Sequence, residues 1–142
     1  MGARRGIPDL SLTAGGAIGY LSVGIGRLKP GYYVVSGTSW STPLFAGVVA
    51  LADQEAGHDL GVLNPTLYQL AARHAPGLVD ITAGANTVSV TIRGKTVTVP
   101  GYDAAVGYDL ASGLGTVDVA KLVPELAGRT ASQHRAAPSS HP

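Results

Sequence analysis

The fold is decided by the stretch Tyr32-Tyr33-Val34-Val35-Ser36-Gly37-Thr38-Ser39-Trp40-Ser41-Thr42-Pro43. An apolar run from Leu44 to Ala52 follows it. This order predicts a strand over 32–35, a tight turn, and a buried helix over 42–55 with Pro43 in its first turn. Ser39 would then lie where a helix begins, beside backbone N–H groups that have no partner and can stabilise an oxyanion. A nucleophilic serine needs such a position, although Ser and Thr before an apolar helix are also ordinary caps.

Four further segments accompany this stretch in a fixed order along the chain. They are Arg5-Gly6-Ile7-Pro8-Asp9-Leu10-Ser11, Leu63-Asn64-Pro65-Thr66-Leu67-Tyr68, Asp80-Ile81-Thr82-Ala83-Gly84-Ala85-Asn86 and Gly107-Tyr108-Asp109-Leu110-Ala111-Ser112-Gly113-Leu114-Gly115-Thr116. Together with the serine stretch they resemble the sedolisins, the acid-acting serine-carboxyl peptidases of the subtilisin-like clan. By that resemblance the nucleophile is Ser39, and Ser41 is not. A true subtilisin relative is the weaker alternative, because the segments around Asp80 and Asp109 argue against it.

The resemblance implies an α/β fold, the C-terminal portion of a subtilisin-like parallel-sheet domain, over residues 1–126. Tyr32–Val35 would be one strand of that parallel sheet, with its other strands absent from this chain. The sequence also predicts a helix over 64–73 with Pro65 at its first position, and a short last helix over 117–126. Residues 127–142 shift to Ala, Ser, Pro, Arg and His, which predicts a disordered tail.

A β-hairpin insertion is predicted over 87–92 and 96–99, because Val and Ile alternate there with Thr and Ser around a tight turn. The candidates for its buried face are Val88, Val90, Ile92, Val97 and Val99.

Asp80 and Asp109 are candidate metal ligands in a chain with only nine acidic residues. Calcium takes about six to eight oxygen ligands from carboxylates, backbone carbonyls and water, and the glycines nearby allow tight loops whose carbonyls turn inward. The alternative is that both aspartates are ordinary turn residues. The resemblance implies a C-terminal calcium-binding loop region with one Ca²⁺. Its ligands would be the side chains of Asp80 and Asp109 and the carbonyls of Ile81, Ala105 and Gly107.

The catalytic base is not evident in this chain. Sedolisins use a Glu as base, an Asp behind it and a further Asp in the oxyanion hole, all on segments upstream of the block that opens here at Arg5. Glu55 lies 16 residues beyond Ser39, about 24 Å along a continuous helix, and cannot reach its hydroxyl. We therefore expect a fragment of an endopeptidase that acts on proteins or peptides at acidic pH, with the missing N-terminal part of the peptidase domain as its partner. The alternative is a non-catalytic calcium-binding remnant or module.

Composition limits the remaining possibilities. The 142 residues are 45% apolar and 13% charged, with a net charge of +1, so nothing points to nucleic acid or an anionic membrane. There is no cysteine, and no apolar run reaches the ~20 residues that cross a bilayer. Arg4-Arg5 is not followed by an apolar run, so no signal peptide is predicted at Met1. An extracellular location is implied by the resemblance alone.

Overall fold

A computed structural model describes residues 5–24 and 26–128. Its elements are, in chain order, β1 (Ala17–Leu21), β2 (Gly31–Val35), α1 (Thr38–Ala56), α2 (Asn64–Ala72), β3 (Leu78–Val79), β4 (Val88–Ile92), β5 (Lys95–Val99), β6 (Thr116–Val117) and α3 (Val119–Leu126). The chain is therefore mixed α/β, as the sequence predicts. None of the helices in these ranges has the length and apolar character that a membrane span requires. The predicted disordered tail lies, from residue 129 onward, outside the described residues.

β2 pairs with β1 as an antiparallel hairpin, with Ile18 opposite Val34 and Tyr20 opposite Tyr32. All strand pairs in the described ranges are antiparallel. The strands of the predicted parallel sheet were expected outside this chain, so the pairing does not test that prediction; it shows that Tyr32–Val35 has an antiparallel neighbour in β1. The connection between β1 and β2 is too short for the crossover that parallel strands need, whereas antiparallel strands require only a short link.

Helix α1 begins at Thr38, four residues earlier than predicted. Gly37 precedes it with a φ of 94°, a conformation that favours glycine, and the helix ends at a left-handed Gly57. Pro43 consequently lies in the second turn and not in the first. Because Pro43 has no N–H, the carbonyl of Ser39 lacks its usual donor four residues on.

The core lies where α1, α2 and α3 meet the loop that leads into β6. α1 packs mainly against α3. The buried apolar residues are Val48, Ala52, Leu67, Leu70, Ala75, Leu114, Leu122 and Leu126. α1 is apolar on nearly all sides, but only the stripe of Val48 and Ala52 is buried, while Leu44 and Leu51 remain exposed.

β4 and β5 pair antiparallel, with Val88 opposite Val99 and Val90 opposite Val97. The predicted apolar residues therefore share one face, and threonine and serine hydroxyls pair across the other. The prediction that this apolar face is buried is wrong. Its members, Val88, Val90, Ile92, Val97 and Val99, are 47–60% exposed. Alternation predicts which side chains share a face, but burial requires a second layer, and no element in the described ranges covers this one.

Candidate active site and metal centre

Ser39 is the second residue of α1, and it is exposed. Within residues 5–24 and 26–128 its hydroxyl has no hydrogen-bond partner. The N–H groups of Thr38 and Ser39 likewise have no protein acceptor in those ranges, as expected where a helix begins. The N–H of Trp40, in contrast, donates to the Gly37 carbonyl at 3.0 Å. A free hydroxyl thus lies beside unpartnered backbone donors, which is one part of the arrangement that acyl transfer at a serine requires, the other being a general base.

Ser41 is held by the backbone of an earlier segment. Its hydroxyl donates to the carbonyl of Thr13 at 2.9 Å, with a longer contact of 3.5 Å to the Leu12 carbonyl. The Gly37 N–H donates to the Ala14 carbonyl at 2.6 Å. Residues 12–14 therefore fix the chain on both sides of Ser39. Within the described part of the chain, the Ser41 hydroxyl is thus engaged by the backbone, whereas the Ser39 hydroxyl is not.

The acidic and histidine side chains that follow Ser39 along α1 have other contacts. Asp53 accepts a hydrogen bond from the N–H of Leu60 at 2.8 Å, and the Nδ1 of His58 contacts the Asp59 carbonyl at 3.1 Å. Asp53 lies about 20 Å from Ser39 along α1 at ~1.5 Å per residue, and His58 lies beyond the end of the helix at Ala56. The part of the chain that the structure describes therefore presents no general base to the Ser39 hydroxyl.

Asp109 is 8% exposed and accepts hydrogen bonds through both carboxylate oxygens. Oδ1 accepts from the N–H groups of Ala111 and Ser112 at 2.9 and 2.7 Å, and Oδ2 accepts from the Ala105 N–H at 2.9 Å. The Ser112 hydroxyl lies 3.1 Å from both oxygens. These donors, with the Ala105 N–H the strongest, hold the pKa of Asp109 below its ordinary value. The carboxylate therefore carries its negative charge even at mildly acidic pH.

Asp80 approaches the same loop from the other side. It directly follows β3, which pairs with β6 and so lies beside Gly115. Its Oδ2 accepts a hydrogen bond from the Gly107 N–H at 2.7 Å. The structure thus brings Asp80, Ala105, Gly107 and Asp109 into one hydrogen-bonded loop, with Ile81 next to Asp80 in sequence.

The side chains around Asp80 and Asp109 limit which kind of ion this loop could hold. The ion pairs in the described ranges join Arg5 to Asp9 and Lys121 to Asp118, so neither Asp80 nor Asp109 has a cationic side chain within 4.0 Å there. No group of three or more His, Cys, Asp or Glu side chains that could hold a metal occurs in the same ranges. An ion at Asp80 and Asp109 would therefore depend on backbone carbonyls for its other protein ligands. That mixture of carboxylate and carbonyl oxygens is typical of calcium and unlike a zinc or iron site.

The sequence did not predict the contacts that the Asp9 side chain makes with Arg5 and with Tyr68 of α2. The Asp9 carboxylate accepts from the Tyr68 hydroxyl at 2.9 Å and pairs with Arg5. Burial raises the pKa of Tyr68, and its hydrogen bond to Asp9 adds to that shift. The Arg5-Gly6-Ile7-Pro8-Asp9 block was the available signal, since it resembles a family motif without containing any of the catalytic residues.

Comparison with known proteins gives the family. The chain is 39% identical to kumamolisin of Bacillus sp. strain MN-32 over 115 residues, which cover 81% of this chain and 18% of kumamolisin. It is 33% identical to xanthomonalisin of Xanthomonas sp. strain T-22 over 115 residues, covering 81% of this chain and 12% of that protein. It is 34% identical to human tripeptidyl-peptidase 1 over 115 residues, covering 72% of this chain and 19% of that protein.

The chain thus spans no more than a fifth of the length of each of these three relatives. No family model matches the sequence. Kumamolisin, xanthomonalisin and tripeptidyl-peptidase 1 are members of the sedolisin family. Their identity to this chain extends over most of its length. On this basis the chain belongs to the sedolisin family.

Proposed function

We propose that this chain is the serine-bearing, C-terminal part of a sedolisin-like serine endopeptidase. The single observation that carries the proposal is the free, exposed Ser39 hydroxyl in the first turn of α1, beside unpartnered N–H groups. The substrates would be proteins or peptides, and the working range would be acidic. An extracellular location agrees with such chemistry.

Ser39 would act as a covalent nucleophile. Its Oγ attacks the scissile carbonyl carbon while a base takes the hydroxyl proton, and the resulting tetrahedral intermediate expels the amine, which receives that proton. Water then hydrolyses the ester and regenerates the hydroxyl. By family resemblance the base is a Glu oriented by an Asp, and a further Asp assists the oxyanion. We infer that these carboxylates come from sequence outside the 142 residues, which would form the rest of the domain around Ser39.

One Ca²⁺ would bind the loop region around Asp80 and Asp109. Its proposed protein ligands are the carboxylates of Asp80 and Asp109 and the carbonyls of Ile81, Ala105 and Gly107. When bound, the ion would neutralise two carboxylates that have no cationic partner within reach in the described ranges. The conformation of this loop is stabilised by the N–H groups of Ala105, Ala111 and Ser112, which donate to the Asp109 carboxylate.

A second candidate is a calcium-binding module without peptidase activity of its own. It is favoured by the absence of any carboxylate or imidazole contact to the Ser39 hydroxyl in the described part of the chain. Both candidates predict calcium binding. They differ in whether Ser39 becomes reactive once the family's acidic residues surround it.

A chimera distinguishes the two candidates. The matching segment of kumamolisin is replaced by this chain's residues 5–128, and hydrolysis of a long internally quenched peptide is measured at about pH 4, where a carboxylate base would work. A substrate with a free amino-terminal tripeptide is measured in parallel, because some relatives are named tripeptidyl-peptidases. The endopeptidase proposal predicts cleavage of the long peptide that is lost in Ser39→Ala and kept in Ser36→Ala, the matched exposed serine. A folded, calcium-binding chimera without any turnover would favour the non-catalytic module.

A further inference from the structure

We propose that the segment Asp9–Ala14, here named the strap, couples the calcium loop to the nucleophile turn. In this account Ser11 and Ser41 are positioning residues for Ser39. The inference rests on the proposed function for the roles of Ser39 and of calcium. The coupling itself rests on hydrogen bonds at both ends of the strap.

The first half of the strap is bound to the loop that follows Asp109. The Leu114 N–H donates to the Asp9 carbonyl, and the Ser11 N–H donates to the Gly115 carbonyl, both at 2.9 Å. The Ser11 hydroxyl donates to the Ser112 carbonyl at 3.0 Å. Ser112 in turn donates its N–H and its hydroxyl to Asp109. Ser112 alone thus links the Asp109 carboxylate to Ser11 by hydrogen bonds, so a shift of that carboxylate would be transmitted to Ser11.

The contact between the strap and this loop is tight as well as hydrogen-bonded. Gly113 and Gly115 have φ values of 68° and 89°, in the region that favours glycine. A Cβ atom on Gly113 would overlap the carbonyl of Asp9. The backbones therefore approach more closely than any other residue at position 113 would permit.

The second half of the strap is bound to the chain on either side of Ser39. The Ala14 carbonyl accepts from Gly37, the residue that directs the chain into α1, and the Thr13 carbonyl accepts from the Ser41 hydroxyl. Only Leu12 separates Ser11 from Thr13. Two residue steps, at most about 7 Å of extended chain, allow the two sets of contacts little independent movement. The position of the nucleophile turn is consequently tied to the shape of the calcium loop.

The test is amide hydrogen exchange, measured by NMR on the whole 142-residue chain. The reporter is the Gly37 N–H, and the Ala105 N–H, which donates to Asp109, reports the state of the loop. Ser112→Ala removes the hydroxyl contacts to Asp109 and keeps the backbone contact. We expect it to raise exchange at both amides by about threefold to tenfold, the equivalent of one hydrogen bond. Saturating Ca²⁺ should slow exchange at both amides.

Further variants make the test specific. Ser11→Ala should raise the exchange rate of the Gly37 amide by a similar factor. Adding Ser112→Ala to it should then change that rate little, because the hydrogen bond from the Ser11 hydroxyl to the Ser112 carbonyl is already absent. Ser11→Thr retains a hydroxyl and should restore the coupling. Ser89→Ala removes a hydroxyl pair of the β4–β5 hairpin and should leave Gly37 unchanged. If Ser112→Ala leaves Ala105 unchanged, Asp109→Ala replaces it, because it removes the acceptor of that N–H altogether.

The outcomes separate this inference from the proposed function. A loop amide that exchanges faster while Gly37 does not would overturn the coupling. So would a rise at Gly37 that is matched at the core residue Leu122, whose N–H donates to the Asp118 carbonyl, because that indicates global unfolding. If Ca²⁺ changes neither amide, the calcium proposal fails, while the serine variants still decide whether the strap couples the two sites.

Discussion

Gly115→Ala should destabilise the chain far more than a matched glycine substitution in the hairpin. Gly115 has a φ of 89°, and a Cβ atom there would overlap the Val79 carbonyl across the β3–β6 pair. Gly94 has a φ of 75°, but a Cβ on it would meet no atom within 4 Å. Both substitutions carry the conformational cost of a left-handed residue, about 1–2 kcal/mol. Only Gly115→Ala also forces two backbones apart.

The steric cost at Gly115 is estimated from overpacking, which typically adds about 1–3 kcal/mol. Gly115→Ala should therefore lower the free energy of unfolding by about 2–5 kcal/mol in total, against about 1–2 kcal/mol for Gly94→Ala. The assay is urea unfolding at low protein concentration, followed by the fluorescence of Trp40, the only tryptophan. Equal losses in the two variants would refute the argument that β3 and β6 approach too closely for a side chain.

Three further predictions concern the core, pH and calcium. Leu122→Ala should cost about 2–5 kcal/mol of unfolding free energy, because Leu122 is a fully buried residue of α3. Val119→Ala, at a more exposed position of the same helix, should cost less than about 1 kcal/mol, and equal urea midpoints would contradict this. The lowered pKa of Asp109 stabilises the fold above the ordinary carboxyl pKa near 3.8, and that stability should be lost as pH falls through the lower folded-state pKa. In acid titrations followed by circular dichroism, Asp109→Asn should lack this component, and an unchanged acid transition would contradict the assignment. Asp80→Asn should weaken Ca²⁺ binding at least about tenfold by calorimetry, while the matched Asp59→Asn should not; equal affinities would exclude Asp80 as a ligand.

The sequence predicted those elements whose signals are local. α2 begins at Asn64 as expected, because Pro65 suits the first turn of a helix and Leu67 and Leu70 are spaced for one buried face. The β4–β5 hairpin follows from alternating residues around Arg93 and Gly94, both with positive φ. These features need no knowledge of the remaining chain.

The errors arose where the sequence carries only a weak signal for the structure that forms. α1 begins early because Gly37, with its positive φ, turns the chain directly before Thr38, a residue that the sequence pattern places in the turn. β1 pairs with β2 although only a short apolar piece is visible there in the sequence. The valine face of the hairpin is exposed because no second layer in the described ranges covers it, and alternation carries no information about such a layer.

In the candidate site, too, some features were predicted from the sequence and others were not. The motif around Ser39 and the two aspartates were predicted from residue patterns, and Asp80 and Asp109 do meet at the 105–107 loop. The strap was not predicted, because its contacts to Gly37 and Gly115 are backbone hydrogen bonds, which carry no side-chain signature in a sequence.

The most direct test of the account is to identify the acylated residue. The kumamolisin chimera is mixed with a peptide ester substrate at about pH 4, quenched with acid during turnover, and digested for mass spectrometry, the acid range being where a carboxylate base would act. The account predicts an acyl adduct on Ser39 that is absent in Ser39→Ala and present in Ser36→Ala. An adduct on Ser41, or turnover that persists in Ser39→Ala, would contradict it.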